Sequence, residues 1–403
     1  MRTENKYIKG MIICIVAVAI GAAVGAIDAL FGRVLLLITD VRDAHPGYFV
    51  PFLAFAGLFI VFAYERYGGK SSRGMVLLFD VAHGKEKEIP LRLIPFVTIG
   101  TWITHLFGGS AGREGVAVQI GGTLSYEIGR KLPIKNASNI LLIVGMAAGF
   151  GGLFRTPVAA TFFAVEVLTA GILVYEAIFP AFLAAYTASI VSGKLGLEKF
   201  ACAVNVKLSF DEKTILKLIV LGALFGIVGY LFSKGLQWGK KQFSKWFPNK
   251  YIRIGVTGAF LSIFLLAIYF GRYAGLGTNL IHASFYGEQI YLYDWVLKLV
   301  FTIITLAAGF QGGEVTPLFS IGASLGVVLS GVFGLPVEFV AALGYAAVFG
   351  SATNTMLAPI FIGGEVFGFA NIPYFALVCM VAFVINRNSS IYAGQKLYAK
   401  EQA

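Results

Sequence analysis

Long apolar runs, separated by short polar or basic stretches, dominate this sequence. Several runs are long enough to cross the hydrocarbon core of a bilayer, which takes about 20 residues of helix. Others are shorter or are interrupted by glycine and proline. The pattern predicts a multi-spanning all-α protein, with apolar segments at roughly 9–38, 48–64, 93–107, 140–175, 177–192, 214–233, 254–270, 295–310, 318–335, 339–369 and 374–385.

Prolines in or beside the apolar segments predict helices that break within the membrane. Pro157, Pro317 and Pro359 occupy such places, and 49 of the 403 residues are glycine. Lipid cannot satisfy the backbone groups that a break sets free, so they must meet protein partners or line a polar cavity. Interrupted helices of this kind are typical of transporters.

Composition and charge favour a protein of the cell membrane. Apolar residues make up 58 % of the chain and charged residues 13 %, against about 45–50 % and about 25 % in soluble domains. The net charge of +11 comes from lysines and arginines in loops, as the positive-inside rule describes. We therefore expect lipid, and no nucleic acid, as the surroundings, with both termini cytoplasmic.

The two halves of the chain resemble each other at an offset of about 200 residues. A stretch from Gly145 aligns without gaps on one from Gly344, and a segment from Gly112 aligns on one from Gly312. Matched positions are Gly145/Gly344, Ala147/Ala346, Ala148/Ala347, Phe150/Phe349, Gly151/Gly350, Thr156/Thr355, Ala159/Ala358, Phe162/Phe361, Glu166/Glu365, Glu114/Glu314 and Gly122/Gly322.

Loop charge predicts that these repeats have inverted topology. The loop at 39–50 carries acidic and basic residues together, whereas the equivalent loop at about 234–253 carries six basic residues and no acid. Because basic loops favour the cytoplasmic side, equivalent loops lie on opposite faces. A parallel duplication is the alternative. We expect one membrane domain over 1–403, with repeats at about 8–205 and 210–395 and no cytoplasmic regulatory domain.

The segment GGSAGREGVAVQIGG, from Gly108 to Gly122, predicts an anion site. Gly112 and Gly115 allow backbone N–H groups to converge on one point, and a helix that begins there adds the positive end of its dipole. Glu114 would compete with the anion while ionised and vacate the site when protonated. A simple pair of Arg113 with Glu114 at a helix end is the alternative.

The glycine–arginine–glutamate–glycine run at 112–115 resembles the segment around the gating glutamate of the CLC family of chloride channels and anion/proton exchangers. The resemblance extends through VQIGG at 118–122, through 154–168, and through GGEVTPLFSIGASLG at 312–326. It implies the CLC fold of broken, tilted helices in inverted repeats, a homodimer and, from its subgroup, a prokaryotic source. Tyr392 matches the family's tyrosine at the central anion site.

Four departures from the chloride pattern resemble the fluoride-specific CLC subgroup. Met75 lies near the place of the chloride-binding serine, and Val116 replaces the proline after the gating glutamate. The second anion segment reads Glu314, Val315, Thr316, so it gains an acid and a hydroxyl. Val167 stands where chloride exchangers carry the inner proton-transfer glutamate.

The resemblance implies a fluoride/proton antiporter that exports fluoride through a pathway gated by Glu114. Fluoride gains from compact O–H donors, which Thr316, Tyr392 and a protonated Glu114 offer. Glu314 forms an acid pair with Glu114 and relays protons, unless it only caps its helix. Phe79 is expected to stack beside the gating carboxylate; ordinary packing in the protein interior is the alternative. A chloride/proton exchanger or passive anion channel is the alternative function.

Other signals are weaker. Ser110 lies in a G-x-S-x-G run but follows no strand, and the histidines lack metal-ligand spacing, so we expect no enzyme, metal or cofactor. His105 is expected at a helix end, satisfied by the backbone. Glu166 and Glu365 match across the repeat, which favours a shared structural role at broken helices over proton transfer.

Overall fold

The protein is almost entirely helical. The computed structural model describes residues 2–206, 208–386 and 388–398, with side chains from residue 7 onward. The first half contains α1 (Arg2–Ala44), α2 (Pro46–Phe49), α3 (Leu53–Ala63), α4 (Met75–Ala82), α5 (Leu93–Leu106), α6 (Glu114–Arg130), α7 (Ala137–Phe154), α8 (Pro157–Glu166) and α9 (Tyr175–Lys194).

The second half repeats this succession of long and short helices. It contains α10 (Glu212–Trp246), α11 (Lys250–Ala267), α12 (Thr278–Phe285), α13 (Asp294–Ala308), α14 (Val315–Phe333), α15 (Val337–Thr353), α16 (Leu357–Phe367) and α17 (Ile372–Ile385). Shorter turns lie at Val50–Phe52, Tyr64–Gly68, Gly69–Arg73, Tyr269–Gly271 and Phe369–Asn371, and the two-residue strands β1 (Thr169–Ala170) and β2 (Lys396–Leu397) pair in parallel.

Seven helical stretches of the described chain are long and apolar enough to cross a membrane, which agrees with the predicted multi-spanning protein. Helices α7 and α15 are buried along nearly their whole length and form the centre of the fold. Helices α1, α3 and α11 present large apolar side chains on the outer surface, including Leu30, Phe55 and Ile263. Outward apolar faces are expected where the surrounding solvent is lipid.

The predicted helix breaks occur at equivalent places in the two halves. The apolar segment 140–175 is divided at Arg155, where α7 ends, and 339–369 is divided at Asn354, where α15 ends. Both residues adopt left-handed backbone angles, with φ of 58° and 55°. Pro157 and Pro359 then lie in the first turns of α8 and α16, where a missing N–H costs nothing.

Glu166 and Glu365 cap each other's helices across the repeats. Glu166, at the end of α8, accepts hydrogen bonds of 2.8–3.2 Å from the first N–H groups of α16, at Met356, Leu357 and Ala358. Glu365, in α16, accepts bonds of 3.1 and 2.8 Å from Val158 and Ala159 in α8. The expected structural role of these two glutamates is confirmed.

The extent of the polar loops is predicted wrongly. The loop expected at 39–50 is mostly helix, because α1 runs to Ala44, and the loop expected at 234–253 is mostly the end of α10. A helix satisfies its own backbone in water as well as in lipid, so a change to charged side chains does not end it. The short helices α4 and α12 are also missing from the apolar pattern.

Candidate functional site

Two glycine-rich segments meet where α6 and α14 begin. The Gly112 N–H donates to the Gly313 carbonyl at 2.5 Å, and the Gly313 N–H donates back to the Gly112 carbonyl at 2.7 Å. This reciprocal pair lies immediately before both helices and brings their N-termini together. Two N-termini at one point combine unsatisfied N–H groups with the positive ends of two helix dipoles, which is an arrangement that attracts anions.

The carboxylate of Glu114 occupies this meeting point. Its side chain is fully buried. Oε2 accepts hydrogen bonds from the Thr316 hydroxyl at 2.6 Å, from the Thr316 N–H at 3.1 Å and from the Arg113 N–H at 3.3 Å. A carboxylate oxygen thus lies where hydrogen-bond donors from both repeats converge.

Arg113 forms a long ion pair with Glu114. Its Nε lies 3.8 Å from Oε1 of Glu114, within ion-pair range but beyond hydrogen-bonding distance. In the described part of the chain, Oε1 of Glu114 and both Nε and Nη1 of Arg113 are buried without a hydrogen-bond partner. The alternative of a simple ion pair therefore describes the geometry less well than a carboxylate held by Thr316.

An inner cavity of about 220 Å³ is lined by Gly115, the residue that follows Glu114. Among the sequence-predicted site residues, its walls include Met75, Phe79, Gly115, Glu314 and Tyr392. The rings of Phe79 and Tyr392 stack with centroids 5.5 Å apart. The buried hydroxyl of Tyr392 has no hydrogen-bond partner among the residues described. Tyr392 thus carries a buried hydroxyl without a described partner on the wall of this cavity.

Met75 reaches the inner cavity through a special turn. It is the first residue of α4 and follows Gly74, whose backbone has φ of 49° and ψ of −127°. Only glycine adopts such angles without strain. A Cβ at Gly74 would also lie 3.0 Å from the side-chain oxygen of Gln119. The turn therefore fixes where α4 starts and which residue faces the cavity.

Glu314 is the N-cap residue of α14, but its side chain makes no capping hydrogen bond. The capping alternative considered for Glu314 is therefore wrong in this structure. Its carboxylate instead lines the inner cavity together with Gly115 and Tyr392. By contrast, the side chains of Val116 and Val315 are buried in the apolar core, so at the site these two residues offer backbone groups only.

Three residues that the sequence reading missed also shape the site. Gln119 and Lys240 line the inner cavity. Lys298 is completely buried and donates to the Ser110 hydroxyl at 2.9 Å and to the Gly275 carbonyl at 2.7 Å. A lone lysine inside the apolar segment 295–310 is the signal that could have identified Lys298. Gln119 lies in the VQIGG run, and Lys240 is one of the six basic residues at about 234–253.

His105 anchors the loop that precedes Glu114. It lies in the last turn of α5, with Nδ1 2.8 Å from the Thr101 carbonyl and Nε2 2.9 Å from the Ala111 carbonyl. The expectation of a helix-end histidine satisfied by the backbone is confirmed. Together with Lys298, it fixes residues 110–111 from opposite sides.

A surface ion network holds the turn before α4. Glu86, in the loop between α4 and α5, accepts from Lys70 at 2.9 Å and from Arg73 at 2.7 Å, and Arg73 also pairs with Asp80. The hydrogen bond from Lys70 is the main cause that lowers the pKa of the Glu86 carboxyl, and Arg73 adds to it. No group of three metal-ligating side chains occurs among the described residues.

Comparisons with known proteins identify the family. The profile described as "Voltage gated chloride channel" matches residues 55–387. A "Chloride/fluoride channel protein" of Pseudomonas syringae pv. tomato is 34 % identical over 380 residues, covering 93 % of this chain and 84 % of the relative. The chain therefore belongs to the voltage-gated chloride channel, or CLC, family.

Solved structures agree with this assignment. The crystal structure of a CLC-type fluoride/proton antiporter superimposes with a TM-score of 0.96 at 51 % identity, covering 97 % of this chain and 99 % of that one. A slow cyanobacterial Cl⁻/H⁺ antiporter gives a TM-score of 0.80 at 18 % identity, covering 94 % and 96 %; this likeness concerns the fold alone. The CLC fold with inverted repeats of broken helices is thus confirmed, and the protein is a CLC-type anion transport protein.

Proposed function

We propose that this protein is a fluoride/proton antiporter of the cell membrane, which exports cytoplasmic fluoride in exchange for protons. The observation that carries the proposal is the Glu114 carboxylate, held by both donors of Thr316 at the meeting of two helix N-termini. The 51 % identity to a CLC-type fluoride/proton antiporter supports fluoride as the anion.

Protonation of Glu114 couples the two ions. While ionised, the carboxylate occupies the Thr316 donors and excludes an anion of the same charge. A proton from the extracellular side neutralises the carboxylate and weakens these charge-assisted bonds. The side chain of Glu114 can then swing toward the inner cavity. The N–H and hydroxyl of Thr316 then become free to bind fluoride, which is a compact acceptor.

The inner cavity supplies the remaining steps. The free hydroxyl of Tyr392 offers fluoride a second O–H donor, and Met75 places a soft thioether where a serine would favour chloride. Glu314 lines the same cavity and relays the proton from Glu114 toward the cytoplasm.

The subunit arrangement is part of the proposal. We expect a homodimer in the cell membrane with one pathway per subunit and cytoplasmic termini. The basic end of α10, which carries Lys240, Lys241 and Lys245, then lies on the cytoplasmic side. The inner cavity, to which Lys240 contributes, opens toward the same side.

The test compares anions and protons in one preparation. Vesicles containing the purified protein are loaded with fluoride or chloride, and anion release and internal pH are followed together. We expect fast fluoride release with proton uptake and much slower chloride release. Equal chloride release would favour the chloride/proton exchanger, and anion release without proton movement would favour the passive channel.

The relay role of Glu314 needs its own variant. Glu314→Gln keeps the size of the side chain and removes its titration, so fluoride-driven proton uptake should be lost. Coupled exchange that survives unchanged in Glu314→Gln would end the relay role.

A further inference from the structure

A wider outer chamber adjoins the inner cavity. It has a volume of about 690 Å³ and is lined by residues of α3, α11 and the turns at Tyr64–Gly68 and Gly69–Arg73. Ser72, Gly309 and Gln311 line both spaces. A hydrogen bond of 3.2 Å from the Tyr64 hydroxyl to the Gln311 side chain lies at their junction. Ser72, Gly309 and Gln311 therefore form the boundary between the chamber and the inner cavity.

Each of the two spaces is lined by one basic side chain that pairs with a carboxylate and by one that pairs with no described carboxylate. In the inner cavity, Arg73 is committed to the carboxylates of Asp80 and Glu86. Lys240 lines the same cavity and forms no ion pair with any residue that the structure describes. It acts electrostatically on Glu314 across this space. Lys240 is exposed and is not fixed in an ion pair, so an incoming anion can approach it.

The outer chamber shows the same contrast. Lys250 pairs with Glu65 at 3.2 Å, so their charges largely cancel. Arg253 donates instead to uncharged groups, the Ala308 carbonyl at 3.3 Å and the Ser244 hydroxyl at 2.8 Å. Over residues 2–206, 208–386 and 388–398, no carboxylate pairs with Arg253. Each space is therefore lined by one basic side chain that forms no ion pair with the described residues.

We infer that Arg253 and Lys240 are successive docking positions that draw fluoride from the cytoplasm through the outer chamber to the inner cavity. This inference rests on the proposed function and adds its access route. A cation in a cleft with low-dielectric walls raises the local concentration of anions, and the gain depends strongly on salt. The Debye length of about 8 Å at physiological ionic strength allows such an effect within the chamber but not far outside it.

The test uses charge changes at Lys240 with Lys241 as the matched control. Lys241 follows on α10 and is exposed like Lys240, but it lines neither space. For Lys240→Glu we expect kcat/KM for fluoride to fall about threefold to tenfold at low ionic strength, and by less than about twofold in concentrated salt, because screening removes steering. Lys240→Arg should behave like the unmodified protein, and Lys241→Glu should change kcat/KM by less than about twofold.

Arg253→Gln and Arg253→Lys extend the test to the outer chamber. For Arg253→Gln we expect kcat/KM for fluoride to fall at low ionic strength and to fall less in concentrated salt. Arg253→Lys should keep the kcat/KM of the unmodified protein. Equal effects of Lys240→Glu and Lys241→Glu, or losses that persist in concentrated salt or lie only in kcat, would overturn the inference. Fluoride binding to the same variants, measured by calorimetry, tests the inference separately from the proposed function. Missing proton coupling in the unmodified protein would overturn only the proposed function.

Discussion

Thr316 holds Glu114 through two donors at once, its hydroxyl at 2.6 Å and its backbone N–H at 3.1 Å, both to Oε2. The two residues come from different repeats, so the contact joins the halves of the protein at the proposed anion site. In the proposed mechanism, the carboxylate and fluoride compete because both use the donors of Thr316.

Removing only the Thr316 hydroxyl tests that shared use. Thr316→Val keeps the shape and the N–H, but it loses a charge-assisted bond of about 1.5–3 kcal/mol. We expect the ratio of fluoride to chloride release rates to fall about tenfold or more, since fluoride gains most from a compact O–H donor. Thr316→Ser should retain most of the ratio. An unchanged ratio in Thr316→Val would separate the hydroxyl from anion selection.

Loss of the helix caps made by Glu166 and Glu365 should affect the stability of the fold more than the coupling of protons to fluoride. Glu166→Ala removes the acceptor of three N–H groups at the start of α16. The N–H of Ala358 is buried, and a buried donor without an acceptor costs about 1–3 kcal/mol. We expect a clearly lower unfolding temperature in detergent for Glu166→Ala and Glu365→Ala. The exposed Glu338→Ala is the control and should unfold like the unmodified protein.

A separate readout distinguishes capping from proton transfer at Glu166. The fraction of Glu166→Gln protein that remains folded should keep its proton-to-fluoride ratio. A folded Glu166→Gln protein that transports fluoride without protons would instead make Glu166 part of the proton path.

Sequence patterns predicted the repeat-related parts of this molecule well. The alignment of the two halves pairs Gly145 with Gly344 and Glu166 with Glu365. These residues agree because the two halves pack in equivalent ways. The apolar stretches similarly predict most of the helices. The bilayer constrains both the repeat-related residues and the apolar stretches, because lipid requires apolar side chains and satisfied backbone groups.

The contacts around the inner cavity were less predictable. Lys240 and Glu314 come from separate helices, and no local pattern indicates that they share a space. The direction of the Glu314 side chain was also open, since an acid at a helix N-terminus is commonly a cap. Such facts depend on how helices pack across the fold rather than on local sequence.

The ion network before α4 gives a pH dependence outside the membrane. Since Lys70 and Arg73 lower the pKa of folded Glu86, the unfolded chain binds a proton more readily there. The stabilisation is present above the unfolded pKa of about 4.3 and is lost as the pH falls through the lower folded value. The unfolding temperature of the unmodified protein should exceed that of Glu86→Gln at pH 6, and the gap should close as the pH falls below about 4. A gap that stays constant down to pH 3 would contradict this assignment.

The central claim is that Glu114 couples fluoride to protons, and uphill proton movement tests it most directly. Vesicles are loaded with fluoride and placed in fluoride-free buffer at a slightly higher pH than inside, with the membrane potential clamped. The account predicts that fluoride efflux drives protons inward against their gradient in the unmodified protein, and that Glu114→Gln, which cannot titrate, moves none. Protons pumped uphill by Glu114→Gln, or no uphill movement by the unmodified protein while fluoride leaves, would contradict it.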